Sequence, residues 1–368
     1  MRSIFNALMD RASGKKSNNL ARYTRRHGKV PLSWAGSTST MDYLNVGDAL
    51  SAVMVALLSG RDIERVPSKS QSLRMACVGT IGHGFAGGEV WFWGTGASAW
   101  ENPSAPMEDR RRFSVAGEAG FHVTATRGPY SEKLLTGKPE GSVGVYGDPV
   151  WLLPRFYNPA PVKKWKLGVI VHLSELSDRD PETHVKPDLL RYGIPEHLHD
   201  HVHLINTVTP IGMNAIKDKI DEILACDRIV STSLHGMVFA ESYGIPCLHF
   251  PTHGPHKGLN VRKLDDSCDL DTRVIDLYRG LGMSELPVYT QSHREPTDWE
   301  DLMAAIDRAW VERAFDAQKL IDAFPLDVEP LQAPQGKTIW DHPVLQALVL
   351  QHDVNELKHA DKQRAAAR

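Results

Sequence analysis

From Val30 onward, short runs rich in β-branched and aromatic residues alternate with stretches whose apolar positions recur at helical spacing. That alternation constrains the fold more than any other feature, because two parallel strands need a crossover long enough to hold a helix. In the first half, 30–35 reads as a strand. Residues 48–58 read as a helix, with Leu50, Val53, Met54, Leu57 and Leu58 on one face and Ser59-Gly60 as its stop. Strands are expected over 74–79, 89–93 and 121–126, and a short helix over 130–135. Pro149, Pro154, Pro159 and Pro161 break the pattern and mark a linker. A second alternation starts at Lys166, with strands over 167–173, 201–208, 228–231 and 246–250 and helices over 214–225, 236–243, 272–280 and 299–315. A Pro-marked linker (325–334) and a last helix over 344–358 follow. The expected class is α/β, with two Rossmann-like domains facing a cleft. Their bounds are 30–158 and 163–290, between a basic N-terminal arm (1–29) and C-terminal helices and tail (291–368).

Composition narrows the function. With 368 residues, 42% hydrophobic and 24% charged, the chain has ample material for a core. A net charge of -3 excludes the broad basic face of a nucleic-acid-binding protein. No run of ~18 apolar residues spans a bilayer, and the start lacks a secretory signal. Cys77, Cys226, Cys247 and Cys268 form no CxxC pair, which fits a reduced, cytoplasmic protein. The charge is uneven, however. Arg2, Arg11, Lys15, Lys16, Arg22, Arg25, Arg26 and Lys29 face the single acid Asp10, and Ile4, Phe5, Leu8 and Met9 fall at helical spacing. Such an arm could lie on an anionic membrane surface as a peripheral contact, or stay solvated.

Five segments could carry chemistry. In Ser231-Thr-Ser-Leu-His235 a strand ends in hydroxyl residues and a helix begins, so free N–H groups and the helix dipole make an anion pocket where Ser231, Ser233, Leu234 and His235 meet a ligand. In Asn45-Val-Gly-Asp48, Asp48 is the expected N-cap, Gly47 lets the turn bend, and a carboxylate there could act on a sugar hydroxyl. Gly94 and Gly96 follow a strand and resemble a phosphate cradle, without the third glycine of a dinucleotide site. Arg127 ends another strand and suits a carboxylate or phosphate. Asp148 sits before Pro149 in a turn. His253, Lys257 and Arg262 add cations in a loop after the next strand. His197, His199, His201 and His203 could share one strand face, but no carboxylate or cysteine spacing completes a metal site.

In this order the segments NxGD, the glycine turn, RGPxS, GDPxxLLP, SxSLHGxxFAxxxGxP and Asp276-Leu-Tyr278 resemble the polysaccharide pyruvyl transferase family over roughly 30–290. The resemblance implies a GT-B-like pair of domains, the first on the acceptor side and the second on the donor side. It also implies transfer of pyruvate from phosphoenolpyruvate to two sugar hydroxyls as a cyclic ketal. Phosphoenolpyruvate is then a co-substrate, no cofactor or metal is called for, and the acceptor is a polysaccharide sugar or its lipid-linked precursor. Some members carry Arg-Leu-His where this chain has Ser233-Leu-His235, which leaves Arg127, Lys257 or Arg262 to bind the donor phosphate.

The chemistry needs an acid to protonate the donor's methylene carbon, a base for the hydroxyls, and fixed positive charge for phosphate and carboxylate. His235 is the candidate acid or phosphate partner, Arg127 the carboxylate ligand, and Asp48 or Asp148 the group that orients or deprotonates the acceptor. Asn45, Gly94 and Gly96 join the substrate-binding set. Two other readings stay open: a GT-B glycosyltransferase using a nucleotide sugar, with Glu241 gripping the ribose, and a non-catalytic polysaccharide-assembly protein.

Overall fold

The computed structural model describes residues 18–116, 118 and 120–366. The first half supplies β1 (Lys29–Ser33), the two-residue strands β2 (Ser37–Thr38) and β3 (Leu44–Asn45), then β4 (Asp62–Arg65), β5 (Arg74–Ala76), β6 (Val90–Phe92) and β7 (Phe121–Val123). A parallel sheet forms in the order β4-β1-β5-β6-β7. The second half supplies β8 (Leu167–Val171), β9 (Val202–Asn206), β10 (Val208–Thr209), β11 (Ile229–Ser231), β12 (Cys247–His249), β13 (Gly258–Lys263) and β14 (Glu285–Thr290). Its sheet runs β13-β14-β12-β11-β8-β9 and is parallel except for the antiparallel β13–β14 pair at one edge.

The α/β class expected from the alternation is what the chain adopts. Both sheets share one winding. The chain leaves its first strand for a neighbour on one side and returns on the other, so the order reverses between β1 and β5 and between β8 and β11. At such a point the loops leaving the carboxyl ends diverge and open a crevice. The first half departs from a fully helical crossover pattern, since only 3-10 turns (Gly82–Gly84 and Met107–Asp109) lie between β5 and β7.

The Val46–Ser59 helix lies at the centre. Every residue in it except Asp48 is buried, which is more than the one-faced stripe read from its leucines. The reason is that it is covered on several sides: by β1, by the buried turn Val150–Leu153, and by Ile216 and Ile220 of the Met213–Leu224 helix, all in one apolar cluster that continues into the Leu234–Ser242 helix. Its start is also tied to the second half. β3 pairs antiparallel with β10, and the Val46 N–H donates to the Thr207 carbonyl at 3.2 Å.

Several expectations need correction. Pro149–Arg155 is a buried 3-10 helix rather than the start of a linker. The helix expected over 299–315 stops at Ala309, where Trp310 turns away and donates its indole N–H to Glu241. The helix expected over 344–358 is three pieces: Pro343–Gln346, a strand β15 (Gln351–His352) beside β2, and Val354–Ala366. Asp353 starts that last helix by accepting from Asn355 and Glu356. The four odd-numbered histidines do not share a strand face, because Glu196–Leu198 is a 3-10 turn and only His203 lies in β9, on Glu222.

The tail crosses back onto the first half. The Trp93 indole donates to Leu320 O, Arg25 pairs with Asp327, and Asp361 accepts from Ser70 and Ser72. Residues 1–17, which hold the apolar part of the basic arm, lie outside the described residues; 19–27 form a helix carrying Arg22, Arg25 and Arg26. No helix among the described residues is long and apolar enough to cross a membrane.

Candidate active site

Two helix N-termini, one from each half, converge where the crevices meet. Asn45, not Asp48, caps the Val46–Ser59 helix, accepting from the Gly47 and Asp48 N–H groups at 3.1 and 3.5 Å. Asp48 is thereby left in the first turn with its carboxylate free of any hydrogen bond or ion pair among the described residues. It faces Gly79, whose φ of +103° and missing Cβ allow an approach that would put a Cβ 3.0 Å from Oδ1. Gly47 has a different role from the flexible turn expected of it. The His235 ring from the other half lies so close that a Cβ there would fall 2.1 Å from the ring's Cγ and Nδ1.

His235 is the second residue of the Leu234–Ser242 helix. Its Nε2 is buried without a partner and stands 4.0 Å from Asp148 Oδ2. The other Asp148 oxygen accepts from the Val150 N–H at 3.0 Å, so the Asx turn fixes the carboxylate while Oδ2 faces the histidine.

Burial dominates the electrostatics of these three groups. It raises Asp48 from 3.8 to about 7, against the pull of Arg273 and with help from the charge of Asp148. It raises Asp148 to about 6, opposed by the Val150 N–H and by Arg127. It depresses His235 to about 3, and Arg127, Arg273 and His172 push the same way. At neutral pH the crevice therefore holds a neutral imidazole between two carboxyls that bind protons far more readily than usual.

The remaining expected residues fall elsewhere. Arg127 is only 1% exposed. Its guanidinium donates to Thr80 Oγ1 at 2.6 Å and to Asp276 Oδ2 at 3.1 Å, and Asp276 also accepts from the Ser131 N–H and hydroxyl. Its charge reaches the site, but the group is walled in. Gly94 and Gly96 are no phosphate cradle. The Gly94 and Gly96 N–H groups donate to Ala125 O and Gly79 O, and that of Ala97 to Ser131 Oγ. Their missing Cβ atoms make room for Pro149 and for the Arg127 guanidinium. Ser231 is fully buried, its hydroxyl donating to Ser233 O and accepting from the Ser233 N–H. Leu234 packs into the core, whereas Ser233 is the N-cap of His235's helix. Lys257 pairs with Glu295, and Arg262, in β13 rather than a loop, pairs with Asp269. Glu241 is held by Tyr278, Trp310 and Arg313 at 4% exposure, too deep to grip a ribose.

Beside His235, at the carboxyl ends of β8, β11 and β12, lies a cavity of about 300 Å³ lined by His172, Glu175, Thr232, His249, Arg273 and His293, with His253 at its edge. Sequence reasoning singles out Thr232 as a hydroxyl at a strand end and His249 and His253 as clustered cations, but not His172, Glu175, Arg273 or His293. The available signal was position: His172, Thr232 and His249 each end or follow a strand of the second sheet, where ligands of such folds collect. Among the described residues no group of three or more His, Cys, Asp or Glu is placed to hold a metal ion.

Neither the curated proteins nor the solved structures contain a match to this chain. The family model of the polysaccharide pyruvyl transferases matches residues 84–254, which include Arg127, Asp148 and His235 but neither Asp48 nor Arg273. The likeness read from the motifs thus holds over that span, where the chain is similar to the polysaccharide pyruvyl transferase family.

Proposed function

We propose that this protein moves pyruvate from phosphoenolpyruvate onto two hydroxyls of a sugar, in a polysaccharide or its lipid-linked precursor, with the two halves acting as GT-B-like domains across the crevice. One observation carries the reading: two buried carboxyls of unequal acidity, Asp48 near 7 and Asp148 near 6, beside the neutral His235 where two helix N-termini meet.

The groups present divide the work as follows. A carboxyl near pKa 7 is suited to donate a proton at neutral pH, so protonated Asp48 delivers it to the methylene carbon of the donor. C2 becomes electron-poor and a sugar hydroxyl adds to it, passing its proton to the Asp148 carboxylate, which stands 4.0 Å from the neutral, unpartnered Nε2 of His235. Phosphate then leaves with a proton, the second hydroxyl closes the ring, and its proton passes to a carboxylate. The helix N-termini and Arg127 favour the anionic groups of the donor. This gives the acid to Asp48 and the base to Asp148, where the sequence reading had His235 as acid or phosphate partner and either aspartate as base, and it leaves the neutral His235 as a hydrogen-bonding group for the acceptor. The basic arm would bring the enzyme to lipid-linked acceptors, and deleting residues 1–28 should then weaken sedimentation with anionic vesicles.

The deciding experiment is thermal unfolding with phosphoenolpyruvate and, separately, with nucleotide sugars. A ligand at ~100 times its dissociation constant adds about 2.7 kcal/mol. Stabilisation by phosphoenolpyruvate, followed by release of phosphate from it when a sugar acceptor is supplied and loss of that release in Asp48→Asn, is the expected result. A shift with a nucleotide sugar alone would overturn the assignment.

A further inference from the structure

We infer that the cavity at the carboxyl ends of β8, β11 and β12 is the anion site of the donor, and that Arg273 is the residue that grips the phosphate or carboxylate there. This rests on the phosphoenolpyruvate reading above and names the residue that sequence analysis could not supply.

Arg273 is the second residue of the Thr272–Gly280 helix, whose N-cap is Asp271. The Asp271 carboxylate takes the Arg273 Nε–H at 3.0 Å and one Nη2–H at 2.6 Å. A guanidinium has five N–H donors in a rigid plane. Asp271 thus fixes the plane of the group from behind and leaves the outer fork, formed by Nη1 and the second Nη2 hydrogen, without a partner among the described residues. That fork matches two oxygens of a phosphate or carboxylate. The side chain is 36% exposed and lines the cavity.

The other charges at the cavity are already matched. Glu175 is held by His293 at 2.8 Å, by the hydroxyls of Tyr192 and Thr232, and by Arg191 at 3.8 Å. Asp269 pairs with Arg262. His249 gives its Nδ1 proton to the Ser231 carbonyl at 3.0 Å, and His172 receives the Ser174 N–H on Nδ1 at 3.2 Å, so one nitrogen of each ring is already engaged, and burial keeps both rings from carrying charge. The cations considered from sequence are closed off, Arg127 by Asp276 and Thr80, and Lys257 and Arg262 by their own acids. The influence of Arg273 extends to both halves of the site, since its charge lowers Asp48, His172, His235 and His249.

Titration calorimetry at pH 7.5 with phosphoenolpyruvate and with inorganic phosphate, on the full chain, tests this. Arg273→Ala should weaken both ligands by about tenfold to a hundredfold, and Arg273→Lys, which keeps the charge but not the fork, by less. Equal binding by wild type and Arg273→Ala overturns the inference while leaving the donor reading intact. Phosphate binding that depends on Arg273, without binding of phosphoenolpyruvate, keeps the anion site and sinks the donor reading. Wild-type protein that binds neither overturns both. Should Arg273→Ala not fold, Arg273→Lys and Arg273→Gln, checked by midpoint, carry the comparison.

Discussion

Replacing Asp48 by Asn should make the protein more stable at alkaline pH while removing its activity. Folding holds the Asp48 proton to about 7, against an ordinary 3.8. Between those values the unfolded chain has released the proton and the folded chain has not, so stability falls as pH rises and the loss is complete above about 7. At ~1.4 kcal/mol per pH unit the ceiling is about 4 kcal/mol. Asp48 is partly open to the crevice, so solvent screens some of this, and about 2 kcal/mol is expected. Asn keeps the shape and has no charge to bury. Denaturant unfolding at intervals from pH 5 to pH 8.5, which covers about two thirds of the span between 3.8 and about 7, should show wild type losing about 1 kcal/mol more than Asp48→Asn. Asp148, raised to about 6, contributes a slope of the same sign that remains in the variant. A variant whose stability follows the wild-type pH curve, or that is weaker than wild type at pH 8, would refute the argument, because the carboxylate would then carry no burial penalty.

Three other outcomes follow from the same geometry. Gly47→Ala should cut turnover by about a hundredfold and cost about 2 kcal/mol of stability, since the added Cβ would fall 2.1 Å from the His235 ring and 2.6 Å from its Cβ, an overpacking that outweighs alanine's helix preference of ~1 kcal/mol; steady-state kinetics and denaturant midpoints read the two effects. Below pH 6.5 the unfolded chain protonates His235 and the folded chain resists to about 3, so His235→Asn should retain about 2 kcal/mol more stability than wild type at pH 4.5, read from denaturant midpoints. Glu241→Ala should cost about 3 kcal/mol, because Arg313 and the Tyr278 hydroxyl lose their buried partner, and calorimetry should show phosphate binding unchanged.

The sheets were legible because buried parallel strands are short apolar runs that little else resembles. Asp48, Asp148 and His235 were legible for a related reason: each begins a helix or turn directly after a strand-like segment, and such junctions sit at the mouth of an α/β sheet. The glycines were not. A glycine in a sequence does not reveal whether its missing Cβ admits a ligand or a side chain from elsewhere, and at Gly96 it admits the guanidinium of Arg127. Arg273 escaped notice because its place depends on how the Thr272–Gly280 helix returns beside β8 and β11, a relation among distant segments. The antiparallel pair β13–β14 was missed because its partly exposed residues break the apolar pattern of the inner strands.

The return of the tail has a consequence for how the chain is made. β2 receives its neighbour from residues more than 300 positions later, and the hydroxyls of Ser70 and Ser72 wait for Asp361. During synthesis β2 and the Ser70–Ser72 loop therefore emerge long before the segment that covers them, with the backbone of β2 open to other strands. Closing so long a loop is slow relative to local helix formation. A nascent chain of this kind would benefit from a chaperone until the Val354–Ala366 helix is released, and a bulky group attached close behind that helix would interfere with the step that completes the beginning of the molecule.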